Sequence, residues 1–213
     1  MTIWFATGNL HKKKELADIL SADINLKTPW ELKVPWELKT PKEAGLEFDP
    51  EETGKTFLEN ALIKASALYQ LVKEPVIADD SGICVDALDG NPGVYSARYG
   101  GKGLSTAERN ALLLSEYDNL EFAADGRKAR FVCAMVLYYS PDRFFVAQET
   151  LEGELVKNID DARGTDGFGY DPILFIPEMG RTVAELTDVE KSRLSHRGKA
   201  GRVIAKILAE NKC

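Results

Sequence analysis

Apolar and polar positions along this chain follow two periods, and the switches between them mark its elements. Residues 2–6 carry the apolar run Ile3-Trp4-Phe5-Ala6, which predicts a short buried strand. Thr7-Gly8-Asn9 is a turn, and Leu16, Ile19 and Leu20 then recur at helical spacing over residues 10–20. A second helix begins sharply, because Thr56 and Glu59 have capping-box spacing just before Leu62, Ala65, Leu68 and Tyr69. Asn60 and Lys64 share one of its faces. Val76-Ile77-Ala78 predicts a buried strand ending in the turn sequence Asp79-Asp80-Ser81-Gly82, with a separate strand over 83–85. Ser105 and Glu108 cap a helix to about Tyr117, and residues 129–139 and 144–150 read as a hairpin around Ser140-Pro141-Asp142. Thr187 and Glu190 start a short helix, and Ser195 is placed to cap a last one reaching Leu208. Strands and helices in this order predict an α/β chain with a mixed sheet.

One stretch breaks the pattern. Residues 27–50 contain Pro29, Pro35, Pro41 and Pro50, which forbid a continuous helix, and Pro-Trp-Glu-Leu-Lys occurs at 29–33 and again at 35–39. Two copies are too few and too short for a solenoid. Residues 27–43 are therefore expected to form an extended, proline-rich surface insert in a single domain spanning 1–213.

Composition narrows the function classes. A chain of 213 residues holds enough apolar material for one core or two lobes. The formal charge of −7 repels a phosphate backbone, so nonspecific nucleic-acid binding is not expected. Cys84, Cys133 and Cys213 lack the close spacing of zinc or redox pairs, which suits a reducing cytoplasm. The nearly apolar run over 131–139 is half a membrane span, and no membrane association is expected.

Four groups of residues could carry chemistry. In Thr7-Gly8-Asn9-Leu10-His11-Lys12 a glycine turn enters a helix whose N-terminal N–H groups can attract phosphate. Lys12-Lys13-Lys14 would oppose the helix dipole there, and a bound anion would relieve the conflict; a solvated lysine run is the plainer alternative. Glu51-Glu52 and Asp79-Asp80 offer hard oxygens of the kind magnesium takes together with substrate phosphates, although each pair also makes an ordinary loop or turn. The segment Gly164-Thr165-Asp166-Gly167-Phe168-Gly169-Tyr170-Asp171-Pro172 can bring backbone against a flat ring with Phe168 stacked on it, or can be a plain hairpin. Lys191 with Ser195-His196-Arg197 again places basic residues at a helix start. Together the four point to an anionic, metal-bound, flat-ringed ligand, a nucleotide.

At these residues the chain resembles the inosine triphosphate pyrophosphatase family, which removes deaminated purine nucleotides. The resemblance rests on Ala6-Thr7-Gly8-Asn9 with Lys12, on 56–61 (TFLENA), on 78–82 (ADDSG), on 92–98 (PGVYSAR), on 167–172 (GFGYDP) and on Ser195-His196-Arg197, in the family's order along nearly the whole chain. It implies an elongated α/β fold with a mixed, twisted sheet flanked by helices, two lobes around a central cleft, and a homodimer. It further implies that Thr7, Gly8, Asn9, Leu10, His11 and Lys12 hold phosphates and that Glu52 and Asp80 hold one or more Mg2+ ions. Asp80 would also accept the proton of the attacking water, with Ser81 beside it, and Phe168, Gly169, Tyr170, Asp171, Lys191, His196 and Arg197 would bind the purine nucleoside triphosphate. Two departures stand out: Asp166 occupies a position that is usually glycine, and the insert around Trp30 and Trp36 is longer than the family's.

The expected reaction is attack of water on the α-phosphorus of a non-standard purine nucleoside triphosphate (ITP, dITP or XTP), releasing pyrophosphate. A nonhydrolytic nucleotide sensor is the rival, but extra carboxylates beside phosphates serve a binder only where a metal is held. A kinase-like phosphotransferase is the weaker rival, because the G-x-x-x-x-G-K-[ST] loop is absent.

Overall fold

The computed structural model describes residues 2–23, 37–120, 126–164 and 169–211. Seven strands form one sheet in the order β2-β1-β3-β4-β5-β6-β7. These are β1 (Thr2–Phe5), β2 (Glu37–Lys39), β3 (Val76–Val85), β4 (Lys128–Ser140), β5 (Arg143–Leu155), β6 (Leu174–Ile176) and β7 (Arg181–Thr182). Parallel pairing of β1 with β2 and β3, and antiparallel pairing along β5-β6-β7, make the sheet mixed, as the element order predicts. The helices are α1 (Leu10–Asp23), α2 (Phe57–Val72), α3 (Thr106–Asp118), α4 (Asp188–Leu194) and α5 (His196–Glu210).

The chain divides into two compact units, the first comprising residues 1–80, 133–149 and 196–213, the second residues 81–132 and 150–195. In the first, strand alternation sorts side chains onto two faces. Ile3, Phe5 and Ile77 pack with Leu16, Leu20, Ile204 and Leu208 of α1 and α5. Trp4, Ala6, Val76 and Ala78 pack with Ala61, Ala65 and Leu68 of α2. Gly201 lets α5 lie close on α1: a Cβ there would stand 3.1 Å from Ile19 Cγ2. The second unit has its own core, in which Ile83 and Val85 meet Leu113 and Tyr117 of α3, together with Phe131, Leu155, Tyr170 and Ile173.

The three predicted capping boxes are all formed, at Thr56 and Glu59, Ser105 and Glu108, and Thr187 and Glu190. Each depends only on residues three apart, so local sequence suffices, and such a cap stabilises by about 1 kcal/mol. The Asp79-Asp80-Ser81-Gly82 sequence differs from expectation. It is not a turn between two strands but the middle of one ten-residue strand, β3. Gly82 permits this by close packing, since a Cβ there would lie 2.3 Å from Ser96 Oγ, and that hydroxyl accepts the Ile83 N–H at 2.9 Å. Most of the expected insert, residues 27–36, lies outside the described residues. Its last part forms β2 and pairs in register Thr2 to Glu37 with β1.

Candidate active site

Parallel pairing of β1 with β3 ends at Phe5 and Ile77, where the chain leaves β1 through Thr7-Gly8-Asn9 into α1. Asp79 and Asp80 lie just beyond that point on β3, at the carboxyl ends of parallel strands where α/β proteins collect ligands. Being adjacent on a strand, the two carboxylates face opposite sides. Asp79 points to the α1 and α5 side, where its Oδ2 meets Lys12 Nζ at 3.0 Å and Arg197 Nε at 3.3 Å. Asp80 points to α2, where Oδ2 accepts from Asn60 Nδ2 at 3.1 Å and Oδ1 lies 3.3 Å from Lys64 Nζ. The pair therefore forms two sites rather than one.

On the first side, Asp79 is 1% exposed. Burial alone would raise its pKa, but Lys12, Arg197 and Lys64 outweigh that and hold it well below the usual carboxylate range. Its Oδ1 is buried with no hydrogen-bond partner among the described residues. Arg197, in the first turn of α5, is clamped between Asp79 and Glu15 of α1. Lys13 pairs with Glu43. The cations that oppose the α1 dipole are thus answered within the protein, so they do not by themselves require a bound anion. Asn9 Oδ1 accepts the N–H groups of His11 at 2.9 Å and Lys12 at 3.3 Å, capping α1, and Thr7 Oγ1 accepts from Asn9 N at 3.1 Å. Leu10 is 61% exposed at the helix start, and Gly8 has open space around its Cα.

On the α2 side, Asn60 and Lys64 are one turn apart and both reach β3. Asn60 Oδ1 accepts the Gly54 N–H at 2.8 Å while its Nδ2 holds Asp80, so one buried amide ties the loop carrying Glu52 to the strand. Lys64 Nζ completes the tie at 3.0 Å from Glu52 Oε1. Burial pushes the Asp80 carboxyl above its ordinary pKa, with Lys64 and Asn60 pulling it back. The sequence assigns no role to Asn60, Lys64 or Glu15, and the shared face of Asn60 and Lys64 was the available signal for the first two; Asp79, grouped there with Asp80 as a source of hard oxygens for magnesium, instead pairs with Lys12 and Arg197. Gly54 is required for the Asn60 contact, since a Cβ would stand 2.6 Å from Asn60 Oδ1 and 2.9 Å from Asn60 N. Gly54→Ala is expected to cost about 1–3 kcal/mol of stability, measured by urea denaturation, and to raise the metal concentration giving half-maximal activity.

The second unit holds another group of the expected residues. Tyr170 is buried in its core and donates its hydroxyl to Ser96 O at 2.9 Å, so its ring packs rather than offering a stacking surface. Asp171, also buried, meets Lys191 Nζ at 2.6 Å. Gly169 has φ +65°, a conformation that favours glycine, and its carbonyl accepts from Asn110 Nδ2 at 3.2 Å. Ser81 follows Asp80 in β3, half-buried, and His196 is buried as the first residue of α5. Phe168 and Asp166 lie outside the described residues.

The residues present suit a divalent cation of the hard type. Glu52 and Asp80 offer two carboxylates, and magnesium takes one or two together with substrate phosphates. Among the described residues no group of three or more His, Cys, Asp or Glu side chains could hold a metal by itself.

The profile of the Ham1 family matches residues 3–207. The chain belongs to the Ham1 family. A relative from Treponema denticola named dITP/XTP pyrophosphatase is 45% identical over 203 residues, covering 94% of both chains. Among solved structures, a HAM1 protein from Coxiella burnetii matches 99% of this chain and 100% of its own at 34% identity and TM-score 0.85. The Ham1 protein of Staphylococcus aureus matches all of both chains at 33% identity and TM-score 0.82. The mixed α/β Ham1 fold is therefore shared along the whole length.

Proposed function

We propose that this chain is a nucleoside triphosphate pyrophosphatase that hydrolyses the non-standard purine nucleotides ITP, dITP and XTP to monophosphate and pyrophosphate, cleansing the nucleotide pool. The observation that carries the reading is the buried Asp80 carboxylate, oriented by Asn60 and sharing the Lys64 ammonium with Glu52 at the end of the parallel strands. Names of relatives such as the Treponema denticola dITP/XTP pyrophosphatase support the substrate class.

Asp80 accepts the proton of the water that attacks the α-phosphorus, a task suited to a carboxyl whose pKa burial has raised. Glu52 and Asp80 would hold the divalent cation, Mg2+ by the hardness of their oxygens. That cation supplies neutralisation of charge on the phosphate oxygens. Thr7, Gly8, Asn9, Leu10, His11 and Lys12 line the turn that receives phosphate. Asp79 and Glu15 hold the Arg197 guanidinium, and Asp79 the Lys12 ammonium, in place before substrate arrives. Phe168, Gly169, Tyr170 and Asp171, with Lys191, His196 and Ser81, serve nucleoside binding, Tyr170 and Lys191 by fixing the segment. The protein works as a homodimer in the cytoplasm, without nucleic-acid or membrane partners. The wide spacing of Cys84, Cys133 and Cys213 supports a reducing compartment. Among the described residues no helix is long and apolar enough to cross a membrane.

Hydrolysis of ITP in oxygen-18 water tests the bond cleaved. The label is expected in inosine monophosphate, with unlabelled pyrophosphate as the other product. Label in pyrophosphate, or release of orthophosphate, would place attack at another phosphorus and defeat the assignment.

A further inference from the structure

Lys64 stands where its function needs explaining. Its ammonium lies 3.0 Å from Glu52 Oε1 and 3.3 Å from Asp80 Oδ1, with the side chain 11% exposed. Asn60 already satisfies the other Asp80 oxygen at 3.1 Å. A lysine is a compact point charge with donors only, so it occupies the same carboxylate oxygens that a divalent cation would take. An ammonium and a metal ion placed together on these oxygens repel each other, and burial leaves that repulsion poorly screened.

We propose that Lys64 is a built-in counter-ion that competes with free divalent metal for Glu52 and Asp80, so that metal binds tightly only together with a triphosphate. The inference rests on reading Glu52 and Asp80 as metal ligands. Without nucleotide, Lys64 neutralises one of two facing carboxylates and keeps the pair from repelling. A triphosphate brings additional anionic oxygens, which balance the ammonium and the metal at once. The protein then spends most of its time free of bare metal and takes up the metal with its substrate.

Binding of Mn2+ to the full-length, nucleotide-free protein tests this, read from the electron paramagnetic resonance signal of free Mn2+. Lys64→Gln, which removes the charge, is expected to bind Mn2+ at least about ten-fold more tightly than the unaltered protein, given the strength of unscreened charge repulsion at this range. Lys64→Arg keeps the charge and is expected to stay within about three-fold of it. Equal affinities for the unaltered and glutamine proteins, or arginine as tight as glutamine, would overturn the proposal. A second measurement needs no variant. In the unaltered protein, a nonhydrolysable α,β-methylene inosine triphosphate is expected to tighten Mn2+ binding beyond its own affinity for the ion, and the lack of such tightening would equally overturn it. Equal but measurable Mn2+ binding in all three proteins defeats the Lys64 role while leaving the metal reading intact. No Mn2+ binding with or without the analogue, alongside ITP hydrolysis that persists in chelator, defeats both.

Discussion

Asp80→Asn is expected to lower the rate of pyrophosphate release from ITP by about 10²–10⁴-fold, the range a positioned general base contributes. The substitution is nearly isosteric, and the new carboxamide oxygen can still accept from Asn60, which holds Asp80 Oδ2 at 3.1 Å. Lys64 keeps Glu52 as a partner at 3.0 Å. The variant is therefore expected to fold, to show an unaltered circular dichroism spectrum, and to bind a nonhydrolysable inosine triphosphate. Loss of turnover with binding retained separates the proton acceptor from a residue that only supports the fold. Turnover equal to that of the unaltered protein would remove Asp80 from the mechanism. Asp79→Asn serves as the contrast. Asp79 is pinned by Lys12 and Arg197 and held ionised by them, so it positions cations rather than accepting a proton from water.

The second large effect concerns the base. ITP and XTP are expected to exceed ATP in kcat/KM by about 10⁴-fold, because a site with buried donors aimed at a 6-keto oxygen leaves them unpaired against a 6-amino group. Sequence alone leaves Arg197 as either a reader of that oxygen or a phosphate clamp. Its position favours the clamp, since Asp79 and Glu15 already engage two edges of the guanidinium. Arg197→Ala is thus expected to weaken all triphosphates by a similar factor. Phe168→Ala is also expected to weaken all purines together, because stacking is indifferent to the 6-substituent. Parallel measurement of kcat/KM for ITP, XTP and ATP checks both. Comparable values for ITP and ATP in the unaltered protein would leave only a general triphosphate pyrophosphatase.

What the sequence determined by itself is what depends on near neighbours. The capping boxes at Thr56, Ser105 and Thr187 need a partner three residues on, and the Asn9 cap of α1 needs N–H groups two and three residues on. The apolar runs over β1 and β4 likewise mark buried strands, and the apolar periods over α1 and α2 specify element and buried face, from local order alone. The joint motifs were enough to place the chain in a nucleotide-hydrolysing family. Tertiary structure decided the rest. Asp79-Asp80-Ser81-Gly82 has the composition of a turn, yet it continues as strand, with Gly82 packed closely on Ser96 of the helical turn Gly93–Arg98. Once that stretch is extended, alternation sends Asp79 and Asp80 to opposite faces, which residue types alone could not reveal. Asp80 then finds its partners 16 and 20 residues away on α2, and Asp79 finds Arg197 118 residues away on α5. Buried charges demand partners, but which distant residue supplies one depends on where the sheet carries it.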